Sequence, residues 1–134
     1  MSHHYSEMSI TSSCVSHKGF RRKVNEDAIV SLPNQGLWVV ADGMGGHSKG
    51  DYASQAITRA LEDLTVTYGQ DLSLYLEVIK NCISAINQHL VERSTELDSG
   101  VIGSTVAALV AGGNRCGLPW AGDSRIYRLR NKSL

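Results

Sequence analysis

The sequence predicts an α+β fold in which an antiparallel sheet carries a pair of consecutive helices. Three observations predict it. β-prone runs lie toward both ends of the chain, two amphipathic helical stripes stand back to back between them, and strand and helix nowhere alternate as βαβ units. At 134 residues the chain is long enough for one domain and too short for two ordinary ones. Hydrophobic residues make up 42% and charged residues 19%, a normal globular balance. Lys plus Arg and Asp plus Glu each number 13, so the formal net charge is zero. That balance lacks the electrostatic footprint of a nucleic-acid or anionic-membrane binder, and neither partner is expected.

The elements follow in order. Residues 1–10 are polar and are expected to form a disordered tail, leaving 11–134 as the ordered unit. Thr11 to His17 is a short β-prone run, and the basic segment Lys18 to Lys23 reads as a loop opened by Gly19. Ala28 to Leu32 and Leu37 to Ala41 read as two strands joined by the turn residues Pro33-Asn34-Gln35-Gly36. The second strand is expected to stop at Asp42-Gly43. A helix should start near Ser48, because Ser48 and Asp51 fit the Ser-x-x-Asp capping pattern. Its apolar face would be Ala53, Ala56, Ile57, Ala60, Leu61 and Leu64, with Gly69 as a stop. A second helix begins near Leu72, where Leu72, Leu76, Ile79, Ile83, Ile86 and Leu90 form one stripe. Strands return at Val101 to Val110, Cys116 to Ala121 and Arg125 to Arg130, with a turn at Gly112-Gly113-Asn114.

The cysteines, Cys14, Cys82 and Cys116, are odd in number and widely spaced, with no C-x-x-C pair. They read as buried free thiols in a reducing compartment rather than a disulfide framework. The N-terminus has no long apolar segment of the secretory type, and no run approaches the length of a membrane span. A cytoplasmic location is expected.

Four segments concentrate residues with chemical potential: Gly19 to Asp27, Ala41 to His47, Gly103 to Thr105, and Trp120 to Arg125. Taken singly, each has a plain structural reading. Asn25-Glu26-Asp27 fits a solvated turn, Asp42-Gly43 and Gly122-Asp123 are common turn pairs, and Gly103-Ser104-Thr105 fits the start of a strand. Together they carry more. A hairpin that begins at Glu26-Asp27 and ends at Asp42-Gly43 gathers acids at one end of the sheet. Hard divalent cations take such oxygen ligands. Glycine after Asp42 leaves a carbonyl open to close approach. Arg22 could hold a phosphate through its planar fork. Acids for metals plus an arginine for an anion is the parts list of a two-metal phosphoryl hydrolase.

Rival readings fail on spacing. A dinucleotide turn would need glycine where Ser48 stands, and Ser48-Lys49-Gly50 reverses the order of a P-loop. His3, His4, Cys14 and His17 match no structural zinc pattern.

The strings R-x-x-NEDA (Arg22 to Ala28), ADGMGGH (Ala41 to His47), GST (Gly103 to Thr105) and WAGDSRIY (Trp120 to Tyr127) resemble, in order and spacing, the motifs of the PPM family, the protein phosphatase 2C type. The wording of DGMGGH is bacterial in style. That around Leu37-Trp38 and Trp120 is similar to phosphatases linked to type VI secretion. The resemblance implies a β-sandwich of two antiparallel sheets, each covered by a helical pair. It implies hydrolysis of phosphoserine and phosphothreonine in proteins by a metal-activated water, without a phosphoenzyme, in opposition to a Ser/Thr kinase. It assigns the central catalytic position, a ligand shared by two ions, to Asp42. Gly43 would contribute its carbonyl, and Glu26 and Asp27 would act on the same cluster. Asp123 would serve a third, weaker site, Arg22 would bind the substrate phosphate, and His47 would assist from outside the ligand set. The ions would be Mg²⁺ or Mn²⁺.

One departure is large. The family carries two further metal-binding aspartates in its C-terminal half, and this sequence has no acidic residue after Asp123. Only the N-terminal half of the sandwich is expected, with an uncovered sheet face and little activity of its own. A non-catalytic binding module derived from such a phosphatase is the alternative.

Overall fold

The computed structural model describes residues 9–45, 49–64, 71–98 and 100–134. Its architecture is the α+β one expected. A six-stranded sheet comprises β1 (Asp27–Leu32), β2 (Leu37–Gly45), β3 (Ile102–Ser104), β4 (Val106–Gly112), β5 (Arg115–Gly117) and β6 (Trp120–Ala121). All its pairings are antiparallel, in the order β1-β2-β4-β5, with β3 on β2 and β6 on β4. Helices α1 (Gly50–Glu62) and α2 (Leu72–Glu96) cover one face. This sheet and helical pair are the N-terminal half expected from the resemblance.

The alternation of β2 explains why only one face is covered. Leu37, Val39 and Ala41 are buried, while Val40, Asp42 and Met44 are exposed. Val30 and Val110 join Leu37 and Val39 under Ile57, Leu61, Tyr75 and Ile79. Burying an aliphatic side chain of this size stabilises by about 1.5–3 kcal/mol, so this layer holds helices to sheet. A smaller cluster of Ala53, Leu90 and Ile102 closes the other end. Contact of early α1 with late α2, through Ala53 and Leu90, and of Leu61 with the early-α2 residues Tyr75 and Ile79 makes the helices antiparallel. On the open face, Ile29, Val40, Ala107 and Trp120 stand in one cross-strand row. Trp120 is 71% exposed.

Several boundaries differ from expectation. β2 runs past Asp42-Gly43 to Gly45, because β3 supplies a partner for its last residues. The apolar run from Val101 divides into β3 and β4 at Thr105. Cys116 to Ala121 is broken at Leu118-Pro119, where proline has no N–H for a ladder, although the Pro119 carbonyl accepts from Ala108 N–H at 3.0 Å. Thr11 to His17 and Arg125 to Arg130 form no strand. Neither finds a partner strand among the described residues, and an extended segment without one gains no ladder hydrogen bonds. Cys14 and Cys116 are exposed rather than buried, the first ahead of β1 and the second on the outer strand β5; Cys82, on α2, is half-buried against the core.

The helix ends also carry corrections. α1 starts at Gly50 after Lys49, with no side-chain cap, and Ser48 lies outside the described residues. It ends at Glu62, before Gly69, which is also outside them. α2 has a true cap: the Asp71 carboxylate accepts from Ser73 N–H at 2.7 Å and from Leu74 N–H at 3.3 Å. The expected stripe packs inward, with Ile79 and Leu90 fully buried. Gly117 lets it approach β5, since a methyl group there would stand 2.6 Å from Leu76 Cδ2. Replacement of the cap, Asp71→Ala, should cost about 1 kcal/mol. Urea unfolding should then show a lower midpoint at unchanged slope, and an unchanged midpoint would contradict the capping role.

Candidate metal and phosphate site

Asp27 begins β1, and the ladder places it directly across from Asp42 in β2. The turn ahead of β1 fixes that register. Asn25 Oδ1 accepts Asp27 N–H at 3.0 Å, an Asx turn, while Asn25 Nδ2 donates to Ser16 Oγ at 2.8 Å. Asp123 follows Gly122, whose φ of 95° suits glycine, in the loop after β6. The Asp42 carboxyl holds its proton above its ordinary range. Desolvation is the first cause, then the charge of Asp27 and a hydrogen bond with it, then the charge of Asp123; Arg22 opposes them. The charges of Asp27 and Asp123 therefore both reach Asp42.

Glu26 faces differently. Adjacent residues in extended chain point to opposite sides, so Glu26 turns toward the helices while Asp27 turns toward the open face. A methyl group at Gly50, the first residue of α1, would come within 2.6 Å of Glu26 Oε1 and 2.8 Å of the Gly43 carbonyl oxygen. A side chain at Gly43 would collide with the Gly50 carbonyl. Gly43 and Gly50 together let β2 meet the start of α1, a second reason for glycine after Asp42. Gly43 N–H donates to the Glu26 carbonyl at 2.9 Å, which locks the two segments. The other carboxylate oxygen of Glu26 pairs with Arg22 Nη1 at 3.5 Å.

Arg22, Glu26, Asp27, Asp42 and Gly43 line one open cleft of ≈ 470 Å³. His17 and Lys18 line it too, and neither was expected from the sequence. No spacing signal separates Lys18 from the other basic residues of its loop. Asn25 was legible, since Asn two residues before a strand start is an Asx-turn signal. His47 lies outside the described residues. Among the described residues, no three His, Cys, Asp or Glu side chains converge as closely as an ion-binding cluster requires. The acids form an open row of oxygen donors. That chemistry fits a hard divalent cation, and Asp27, Asp42, Asp123 and the Gly43 carbonyl are the groups that could hold one.

A raised Asp42 pKa means that the folded chain binds this proton more tightly than the unfolded chain does. Stability from this group is full at low pH and falls as pH rises from the ordinary 3.8 through the raised folded value. Above that window the ionised carboxylate is a net cost. Asp42→Asn should thus raise the metal-free melting temperature at neutral pH and flatten its decline above pH 3.8. A lower metal-free melting temperature would show that Asp42 is not held against repulsion.

Residues 18–134 match the family described as Protein phosphatase 2C. The chain is 37% identical over 120 residues to the serine/threonine protein phosphatase PstP of Mycobacterium tuberculosis, covering 89% of this chain and 23% of that protein. It is 32% identical to the serine/threonine phosphatase stp of Listeria monocytogenes, covering 87% of this chain and 49% of that one. A solved structure described as PppA, a key regulatory component of T6SS in Pseudomonas aeruginosa, superposes with a TM-score of 0.83 at 42% identity. The match covers 87% of this chain and 50% of PppA. The catalytic domain of PstP, solved in complex with 2 manganese ions, gives a TM-score of 0.73 at 37% identity over 86% of this chain and 49% of that one. The chain spans about half the length of the stp and PppA relatives, and about a quarter of full-length PstP. Through residues 18–134, the chain belongs to the protein phosphatase 2C family.

Proposed function

We propose that this chain carries the N-terminal half of a metal-dependent protein phosphatase site that hydrolyses phosphoserine and phosphothreonine with water. The observation that carries the reading is the cross-strand pair Asp27–Asp42, with Asp123 close enough to raise the proton affinity of Asp42. Repelling carboxylates on an open face are an arrangement that a divalent cation neutralises. Asp42 holds the central position, Asp27, Asp123 and the Gly43 carbonyl complete this chain's share of donors, and Mg²⁺ or Mn²⁺ suits the set. The resemblance assigns two such ions, with a third, weaker site beside Asp123. Bound there, the ions would supply positive charge for the phosphate oxygens and acidify a water.

The chain's own residues do the rest. Arg22 binds the substrate phosphate with its guanidinium fork. Glu26, anchored against the start of α1, holds that fork at the cleft rim. His47, assigned by the resemblance, serves as an auxiliary proton-handling group. The substrate is a phosphorylated protein, and the enzyme reverses a Ser/Thr kinase. The likeness to PppA supports a secretion-linked pathway. Two exposed free thiols support a reducing, cytoplasmic setting, and among the described residues no helix is long and apolar enough to cross a membrane.

The second reading, a binding module without turnover, is favoured by the open spacing of the acids. A chimera separates the two. Residues 1–134 joined to the C-terminal half of PppA should release phosphate from a phosphothreonine peptide in Mn²⁺, at least about a hundredfold faster than residues 1–134 alone. A silent chimera would sink the phosphatase reading, and equal rates would sink the half-site reading. In the active chimera, Arg22→Ala should raise KM by roughly tenfold, since charge-assisted bonds to phosphate are lost. Arg21→Ala, at an exposed loop position, should leave KM within about twofold. An equal loss from Arg21→Ala would place the phosphate on the wrong arginine.

A further inference from the structure

The motif Gly103-Ser104-Thr105 divides two strands, and its last residue is hydrogen-bonded to the main chain of Asp42. β3 and β4 face β2 in one continuous register, with Gly43 across from Ser104 and Val40 across from Ala107. Thr105 therefore stands across from Asp42. A regular hydrogen-bonded pair at that point exchanges two main-chain bonds. One is present, Thr105 N–H donating to the Asp42 carbonyl at 2.9 Å. The other is made by a side chain: Asp42 N–H donates to Thr105 Oγ1 at 3.0 Å. The Thr105 carbonyl, displaced from the ladder, accepts the Ser104 hydroxyl at 2.9 Å.

The same Thr105 hydroxyl lies 2.6 Å from Ser124 Oγ, on the residue after Asp123. A threonine hydroxyl has one proton and two lone pairs, enough to accept from Asp42 and share a bond with Ser124. Its methyl group packs under Gly122, where an added Cβ would stand 2.8 Å from Thr105 Cγ2. One side chain thus grips the peptide of Asp42 and both neighbours of Asp123.

We propose that Thr105 is a positioning residue of the cation site: its hydroxyl stands in for a ladder carbonyl and bridges Asp42 to Ser124, setting how far apart the Asp42 and Asp123 carboxylates stand. The cation site, and with it the choice of Mn²⁺ as probe, rests on the phosphatase reading. The hydroxyl bridge itself is independent of it.

Three variants of the full chain test this, with two readouts. Amide hydrogen exchange at Asp42, measured by NMR without metal, should quicken about tenfold in Thr105→Val and stay near wild type in Thr105→Ser. Mn²⁺ affinity, measured by calorimetry, should fall about tenfold in Thr105→Val, recover in Thr105→Ser, and fall about threefold in Ser124→Ala. Ser124→Ala keeps the Asp42 bond and removes only the far end of the bridge, so it still tests the bridge if Thr105→Val does not fold. Unchanged exchange in Thr105→Val overturns the proposal. So does wild-type Mn²⁺ affinity in Thr105→Val or Ser124→Ala. If the wild-type chain binds no Mn²⁺ while exchange quickens as expected, the bridge stands and the metal reading fails.

Discussion

In the ladder between β1 and β2, Asp27 stands across from Asp42, and each side chain in those strands takes its facing from that register. Counting back from Asp42 along β2, Val40 and Trp38 fall on the open face. Ala41, Val39 and Leu37 fall under the helices. A slip of one residue in either strand would turn its carboxylate beneath the helices, at the end where Gly43 meets Gly50, and its apolar set to solvent. Burying unpaired charge costs several kcal/mol per ion, and exposing this layer forfeits about 1.5–3 kcal/mol for each large side chain. The packing that holds α1 and α2 on the sheet is thus also what presents the acids. Fold and site are specified by one alternation.

The glycines beside the acids extend that constraint. Gly43 and Gly50 allow the start of α1 to sit against the end of β2, and Glu26 fills the space left beside them. A residue with a side chain at either place would push the helix away from the strand and release Glu26 from its anchorage. Gly122, on the other side of the site, makes room for Thr105. Gly43 and Gly50 provide close approach of backbone to backbone, while Gly122 supplies a positive φ and room for the Thr105 methyl group.

Periodicity made most of the core legible. The six-residue stripe of α2 and the α+β order followed from spacing, whereas the alternating burial of β2 did not, because Leu37 to Ala41 is apolar throughout. Local chemistry misled where long-range pairing decides. Asp42-Gly43 carries turn signals, yet β2 continues through it because Ile102 to Ser104, distant in sequence, supplies a partner. Arg125 to Arg130 alternates like a strand and is none, since a strand is a relation between two segments. The sequence singled out the acids as candidates and the ladder sets Asp27 across from Asp42, but the opposite facing of Glu26 and Asp27 was missed, although adjacency alone dictates it. Thr105 could not have been assigned from spacing. Its part depends on a hydroxyl replacing a carbonyl, which no pattern of residue types encodes.

The Arg22–Glu26 pair links the packed part of the site to its exposed rim. At 3.5 Å, with the Arg22 side chain 75% exposed, it is a long surface ion pair. Such pairs contribute about 0–1 kcal/mol, too little to hold a guanidinium against a better partner. Charge-assisted bonds to a phosphate contribute about 1.5–3 kcal/mol each. On the proposed reading, an arriving phosphate draws Arg22 from Glu26 at small cost. Glu26 stays in place because its other oxygen rests against the start of α1. The pair therefore keeps the guanidinium near the cleft without committing it. A tighter, buried pair would have fixed Arg22 more firmly and made it a poorer phosphate ligand, since breaking it would leave a buried carboxylate unpaired.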